Sequence, residues 1–208
     1  MTNQEHILDG YFLARKPSSD TFEVWFLFTR QQGLVTCLHR QRSGTSRKNK
    51  GSADLWDHIE LEWSTSSKAG EHGPRFVKDY RIVRHHEWLG QNWHRLEYAS
   101  NLANLLRQNL AEHESRPELF QLTEQALDAW QHDTHPSAIY MKYLLRWIQQ
   151  EGYGHPAQWR GATPASTSLW LQLTQHSVHT LSFPDIHWTR ALDELETFLK
   201  QETEFHLH

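Results

Sequence analysis

Cysteine is almost missing from this chain of 208 residues: Cys37 stands alone. No internal disulfide can form, and no cysteine-rich zinc site can be built. No apolar run approaches the ~20 residues that cross a membrane. The opening MTNQEHILDG is polar and has no basic region leading into an apolar stretch, so no secretory signal is expected. These absences together lead us to expect a reducing, cytoplasmic setting. Catalytic signatures are missing too. There is no Gly-x-Ser-x-Gly, no phosphate-cradling Gly-x-x-x-x-Gly-Lys and no His-Glu-x-x-His. Cys37 sits in a strand-like run and reads as a small buried hydrophobe. No enzyme and no cofactor are expected.

What is present is aromatic. Ten tryptophans and a 12% aromatic content supply a core and exclude a disordered chain. Sixteen histidines invite a metal hypothesis, since neutral imidazole is a common zinc ligand. Their spacing does not support it. His85–His86 is a bare pair, His176 and His179 have no third ligand nearby in sequence, and His206 and His208 close the chain. No metal site is expected.

The formal net charge of −4 hides an asymmetry. Residues 1–84 hold thirteen Lys and Arg against ten Asp and Glu, whereas residues 85–208 hold eight against fifteen. A basic front and an acidic back suggest two modules with different partners.

The front reads as strands. HILDGYFLARKP is extended up to Pro17, SSD makes a turn, and TFEVWFLFTR is rich in β-branched and aromatic residues. LVTCLH follows a turn at Gly33, and LWDHIELEW and RFVKDYRIV flank the Ser/Gly/Pro loop STSSKAGEHGP. About five short strands suggest a five-stranded barrel of the OB type within residues 1–84. The alternation alone equally allows another small barrel or a sandwich. Near Trp93 the period changes. Leu96, Ala99, Leu102, Leu105, Leu106 and Leu110 recur at helical steps. Pro117 and Pro136 open two further helices, as proline suits a first turn. A Gly/Pro/Ser/Thr-rich loop is expected over 153–167, with two more helices near 168–181 and 188–203. The expected fold is therefore α+β, with residues 1–84 a barrel and residues 85–208 all-helical.

The segment LHRQRSGTSRKNKG carries Arg40, Arg42, Arg47, Lys48 and Lys50 and no carboxylate. Arg15, Lys16, Arg30, Arg81 and Arg84 add positive charge elsewhere in the front half. Lys and Arg bind nucleic acid by neutralising phosphates and releasing counterions. OB-type barrels combine such charge with rings on which bases stack. Trp25, Trp56 and Trp63 are candidate platforms, with Tyr11 and Phe12 beside them; strand residues alternate faces, so only about half can point outward. From the residues alone, the basic segment reads either as a solvated loop or as a polyanion contact.

The stretch LFTRQQGLVTCLHRQRSGTSRKNKG resembles the early part of the RecO family of recombination mediators: a strand ending in a Phe-Thr-Arg step, a turn at Gly, a strand, then an Arg/Lys-rich loop. ILDGYFLARKP and Asp20 fit the same pattern. RLEYASNLANLLRQNLAEHESRPELFQLTEQALDAW is similar to that family's first helices after the barrel. LLRWIQQEGYGHP is similar to its third, which closes on a Gly-Tyr-x-x-Pro step, and FLKQETEFHLH to its last. Many members carry a four-cysteine zinc module after that step. Here AQWRGATPASTS stands in its place, without cysteine. The resemblance implies a protein that binds single- and double-stranded DNA and anneals complementary strands. It also implies help in loading RecA onto strands coated by single-strand-binding protein, with RecR as partner. Two alternatives remain: a stand-alone OB-type nucleic-acid-binding module, or a degenerate member kept as a protein-interaction scaffold.

Overall fold

The computed structural model describes residues 6–41, 52–65, 74–132 and 135–207. It contains β1 (His6–Pro17), β2 (Phe22–Thr29), β3 (Gly33–Arg40), β4 (His58–Thr65) and β5 (Arg75–Arg84), then α1 (Trp93–Asn109), α2 (Pro117–His132), α3 (Pro136–Gln150), α4 (Pro164–Gln175) and α5 (Asp185–Glu202). The fold is α+β, as the sequence pattern implies. Two compact units share the chain: residues 1–87 with 106–120, and residues 88–105 with 121–208.

In the first unit the strands close in the order β1-β2-β3-β5-β4, with β4 returning to β1. All neighbours are antiparallel except β3 and β5, which meet in parallel at Leu38 and Phe76. This is the OB arrangement. β1 serves two neighbours because it is long and because Gly10 lets it approach β2 closely. A Cβ on Gly10 would overlap the Phe28 carbonyl oxygen. Leu8, Phe12, Trp25, Leu27, Val35, Ile59, Leu61 and Trp63 fill the interior, with Cys37 among them. Burial drives the Cys37 thiol up to about 12, which keeps it protonated and unreactive.

The segment before β4 completes this core. Trp56 is fully buried in a left-handed conformation, φ 66°, with its amide donating to the Phe12 carbonyl at 2.7 Å. Asp57, 2% exposed, accepts from the amides of Asp54 (2.9 Å) and His86 (3.3 Å) and lies 3.1 Å from His85 Nδ1. A buried carboxylate needs such partners, and here they join the β3–β4 connection to the end of β5.

Residues 106–120 belong to the same unit. Gly33 and Leu34 bridge to Glu112, the His113 amide donates to the Leu34 carbonyl at 3.0 Å, and Ser115 Oγ donates to the Arg30 carbonyl at 3.1 Å. Phe120 stacks on Tyr11 at 5.4 Å and meets Phe28 at the same centroid distance, with the Arg30 guanidinium 4.9 Å from its ring.

The second unit is helical. Leu102, Trp130, Leu144, Trp147, Trp170 and Leu195 are among its most buried side chains. Two of its interior polar contacts join separate elements. Thr123 Oγ and the Tyr143 hydroxyl lie 3.0 Å apart, and Trp130 Nε1 donates to the Pro136 carbonyl at 3.0 Å. The helix expected from residue 168 begins at Pro164. Thr163 caps it through a bond from the Ser166 amide, and proline occupies its first turn. It ends at Gln175, and Val178–Thr180 forms a separate short turn. The last helix starts at Asp185, three residues before the expected Trp188.

Candidate nucleic-acid interface

β2 is apolar on both faces, and its register separates them. Trp25 opposite Cys37 and Leu27 opposite Val35 point into the barrel. Alternation then places Phe22 with Arg40, Val24 with Leu38, Phe26 with Thr36 and Phe28 with Leu34 on the outer surface. Near the β2–β3 turn this outer face is covered: Phe28 is fully buried with Phe120 against it, and Leu34 is 4% exposed. Further along, the Arg107 guanidinium lies over the Phe26 ring at 4.4 Å. At the far end Phe22, Val24 and Leu38 are only partly buried. Phe76, beside Leu38 across the parallel β3–β5 contact, meets Phe22 edge-on at 6.0 Å.

Cations border this exposed end. Lys16 pairs with Val24 across β1–β2, and Arg40 pairs with Phe22; both are exposed. Arg15, one residue earlier, is exposed at the same end and donates from Nη1 to Ser52 Oγ at 2.7 Å. Arg75 is placed here too, its guanidinium 4.5 Å from the Trp63 ring. The other expected cations are elsewhere on the barrel. Arg81 is held by Glu60 Oε2 at 2.6 and 2.7 Å, which offsets its charge. Arg84 closes β5 opposite His58, and Arg30 follows β2; both are at the opposite end. Arg42, Arg47, Lys48 and Lys50 lie outside the described residues. In sequence they follow Arg40 and Gln41.

The three tryptophans expected to stack bases cannot do so from these positions. Trp25 is 1% exposed, Trp56 fully buried and Trp63 7% exposed. Trp25 packs edge-on against Phe12 at 5.1 Å, and its Nε1 donates to Glu23 at 2.7 Å. Tyr11 and Phe12 are buried as well. For Trp25 and Trp63 the physical reason is size: a five-stranded barrel has few interior positions, and large indoles fill them best. Trp56 is buried outside that cluster, against Tyr11. The sequence contained a usable signal: once Trp25 is inside, parity puts Phe22, Val24, Phe26 and Phe28 outside, and an apolar outer face needs a cover or a ligand.

Residues 90–166 match the family model described as recombination protein O, C terminal. The matched segment is similar to the C-terminal part of the RecO family. It runs through α1, α2 and α3 to the start of α4. No curated protein matches the chain. In this RecO-type segment the step Gly-Tyr-x-x-Pro, residues 152–156, leads into a short turn at Pro156–Gln158 and then to Thr163. Glu194 ties Thr163 down, accepting from its amide at 2.8 Å and its hydroxyl at 3.2 Å, while Arg190 Nε donates to the same carboxylate at 3.0 Å. Burial opposes the charge of Glu194, but these bonds outweigh it and hold the carboxyl below its ordinary range. Zinc does not fit here. Among the described residues no three His, Cys, Asp or Glu side chains cluster as ligands, and the sole thiol is in the barrel core.

Proposed function

We propose that this chain is a DNA-binding recombination mediator of the RecO type, acting in the cytoplasm. One observation carries the reading: a RecO C-terminal match over residues 90–166 follows a closed barrel in the OB strand order. The family match supports a role in DNA repair and recombination. The finer reading is that residues 1–84 bind single- and double-stranded DNA while residues 85–208 meet protein partners, RecR and single-strand-binding protein. Arg15, Lys16 and Arg40, with Arg42, Arg47, Lys48 and Lys50 beyond them, take phosphates and release counterions. Arg30 and Arg84, at the opposite end of the barrel, add a second phosphate contact for longer DNA. Neutralised phosphates let two complementary strands approach and anneal. The same contacts compete with the coating protein and help RecA to load. No covalent bond is made or broken, so neither a catalytic group nor a cofactor is required.

An electrophoretic shift assay with single-stranded DNA, run with and without RecR, tests this reading together with annealing of complementary oligonucleotides. The expected result is a shift by the chain alone, a further shift with RecR, and faster annealing. Binding that ignores RecR would favour a stand-alone nucleic-acid module. No affinity at low salt would favour a protein-interaction scaffold.

A further inference from the structure

In the helical unit, the segment after α3 and one face of α5 enclose an open cavity of about 450 Å³. Small-ligand sites begin at ~300 Å³, so there is room for a long side chain. Three rings line it: Tyr153, Trp159 and Phe198. Each is held in place. The Tyr153 hydroxyl accepts from the Glu204 amide at 3.2 Å. Trp159 stands edge-on to Phe198 at 5.8 Å and lies against Gly161, where a Cβ would come within 2.5 Å of the indole. Phe198 is 7% exposed, while Tyr153 and Trp159 are partly exposed and within reach of a ligand.

Two charges share the cavity. Glu202 follows Phe198 by four residues and so lies beside it on α5, and Arg160 follows Trp159. Both are exposed, and among the described residues neither side chain takes part in an ion pair or hydrogen bond. His155, which also lines the cavity, adds no charge. Its Nδ1 accepts from the Ala157 amide at 3.1 Å, and burial lowers its pKa below the ordinary 6.5.

We infer that Tyr153, Trp159 and Phe198 form an aromatic cage for an arginine side chain of a partner protein, with Glu202 as its counter-charge. This rests on the reading above that residues 85–208 meet protein partners. Ring faces attract cations, and a carboxylate beside them adds to that attraction. The field of the unit agrees, since residues 85–208 hold fifteen Asp and Glu against eight Lys and Arg. Elsewhere in the chain guanidinium groups lie over Phe120, Trp63, Trp88 and Phe26, between 4.4 and 5.6 Å from the ring centroids. Among the described residues no cation of the chain lies over the three rings of the cage. Arginine suits the cavity better than lysine because its planar, weakly hydrated head stacks on rings. Arg160 opposes a bare cation, so the incoming segment should carry a carboxylate next to its arginine.

The test is a titration of the full chain with the blocked peptide Gly-Gly-Arg-Asp-Gly. It is followed by NMR on the indole N–H signal of Trp159, assigned by its loss in Trp159→Phe. The expected result is a saturable movement of that signal, with affinity about tenfold lower when citrulline replaces arginine. Glu202→Gln should weaken binding, and its exposed position leaves the fold intact. Arg160→Ala should weaken the Arg-Asp peptide but not Gly-Gly-Arg-Gly-Gly. Equal affinity for the citrulline peptide would overturn the inference, because the cation would not be what is recognised. Tighter binding of Gly-Gly-Glu-Asp-Gly would overturn it too, and would make the cavity an anion site anchored by Arg160. No movement at millimolar peptide, from a chain that still gives the further shift with RecR, would overturn the cage and leave the proposed function standing. Peptide binding without that further shift would support the cage and overturn RecR as the partner.

Discussion

Gly33 and Glu114 meet backbone to backbone: a Cβ on Gly33 would overlap the carbonyl oxygen of Glu114. Gly33 also has φ +62°, in the left-handed region. One position therefore turns β2 into β3 and admits the segment 106–120 beside the barrel.

Gly33→Ala should destabilise the chain by at least about 2 kcal/mol, from left-handed strain plus steric overlap. Gly152 is the control. Its φ is +83°, but nothing stands within 4 Å of its Cβ position, so Gly152→Ala should cost only about 1 kcal/mol. Urea unfolding of the two variants gives the comparison, and equal losses would show that the Glu114 contact is immaterial.

His86 should make stability pH-dependent. Burial, with Arg84 nearby, lowers its pKa from the ordinary 6.5 to about 4. Between those values the unfolded chain binds a proton that the folded chain does not. Stability should therefore fall as pH drops from about 6.5 to 4. The urea midpoint followed across that range should show the slope, and His86→Gln should flatten it. A native midpoint independent of pH there would contradict the assignment.

Glu194 should matter where the resemblance leads one to look for zinc. Glu194→Gln keeps shape but loses charge, weakening bonds from Thr163 and Arg190 that are worth roughly 1.5–3 kcal/mol when charge-assisted. We expect a loss of stability of that order, read by thermal unfolding, with no change on adding chelator. Elemental analysis of untagged, dialysed protein should find no stoichiometric zinc.

Much of this fold was legible in the sequence because local chemistry and pattern agree. The switch near Trp93 from alternation to helical steps coincides with the start of α1. Pro117 and Pro136 open α2 and α3 as expected of first-turn prolines. The start of α4 was hidden because ATPASTS has the composition of a loop, while Thr163 and Pro164 act as cap and first residue. The facing of the tryptophans was hidden for a different reason. In TFEVWFLFT both parities are apolar, so nothing local decides which one enters the barrel; the pairing of Trp25 with Cys37 does. Residues 106–120 read as the end of one helix, a loop and the start of the next. Their bridges to Gly33 and Leu34 are long-range and leave no local mark.

Phosphate binding by the basic end of the barrel should be visible in the salt dependence of single-stranded DNA binding. Arg40, Arg42, Arg47, Lys48 and Lys50 replaced together by alanine should weaken binding strongly and leave the fold intact. If all five meet phosphates, the slope of log affinity against log salt should shrink by about 3.5, at roughly 0.7 per contact. Binding should stay indifferent to base sequence in both forms of the protein. Unchanged affinity with an unchanged slope would contradict the account and make the segment a solvated loop.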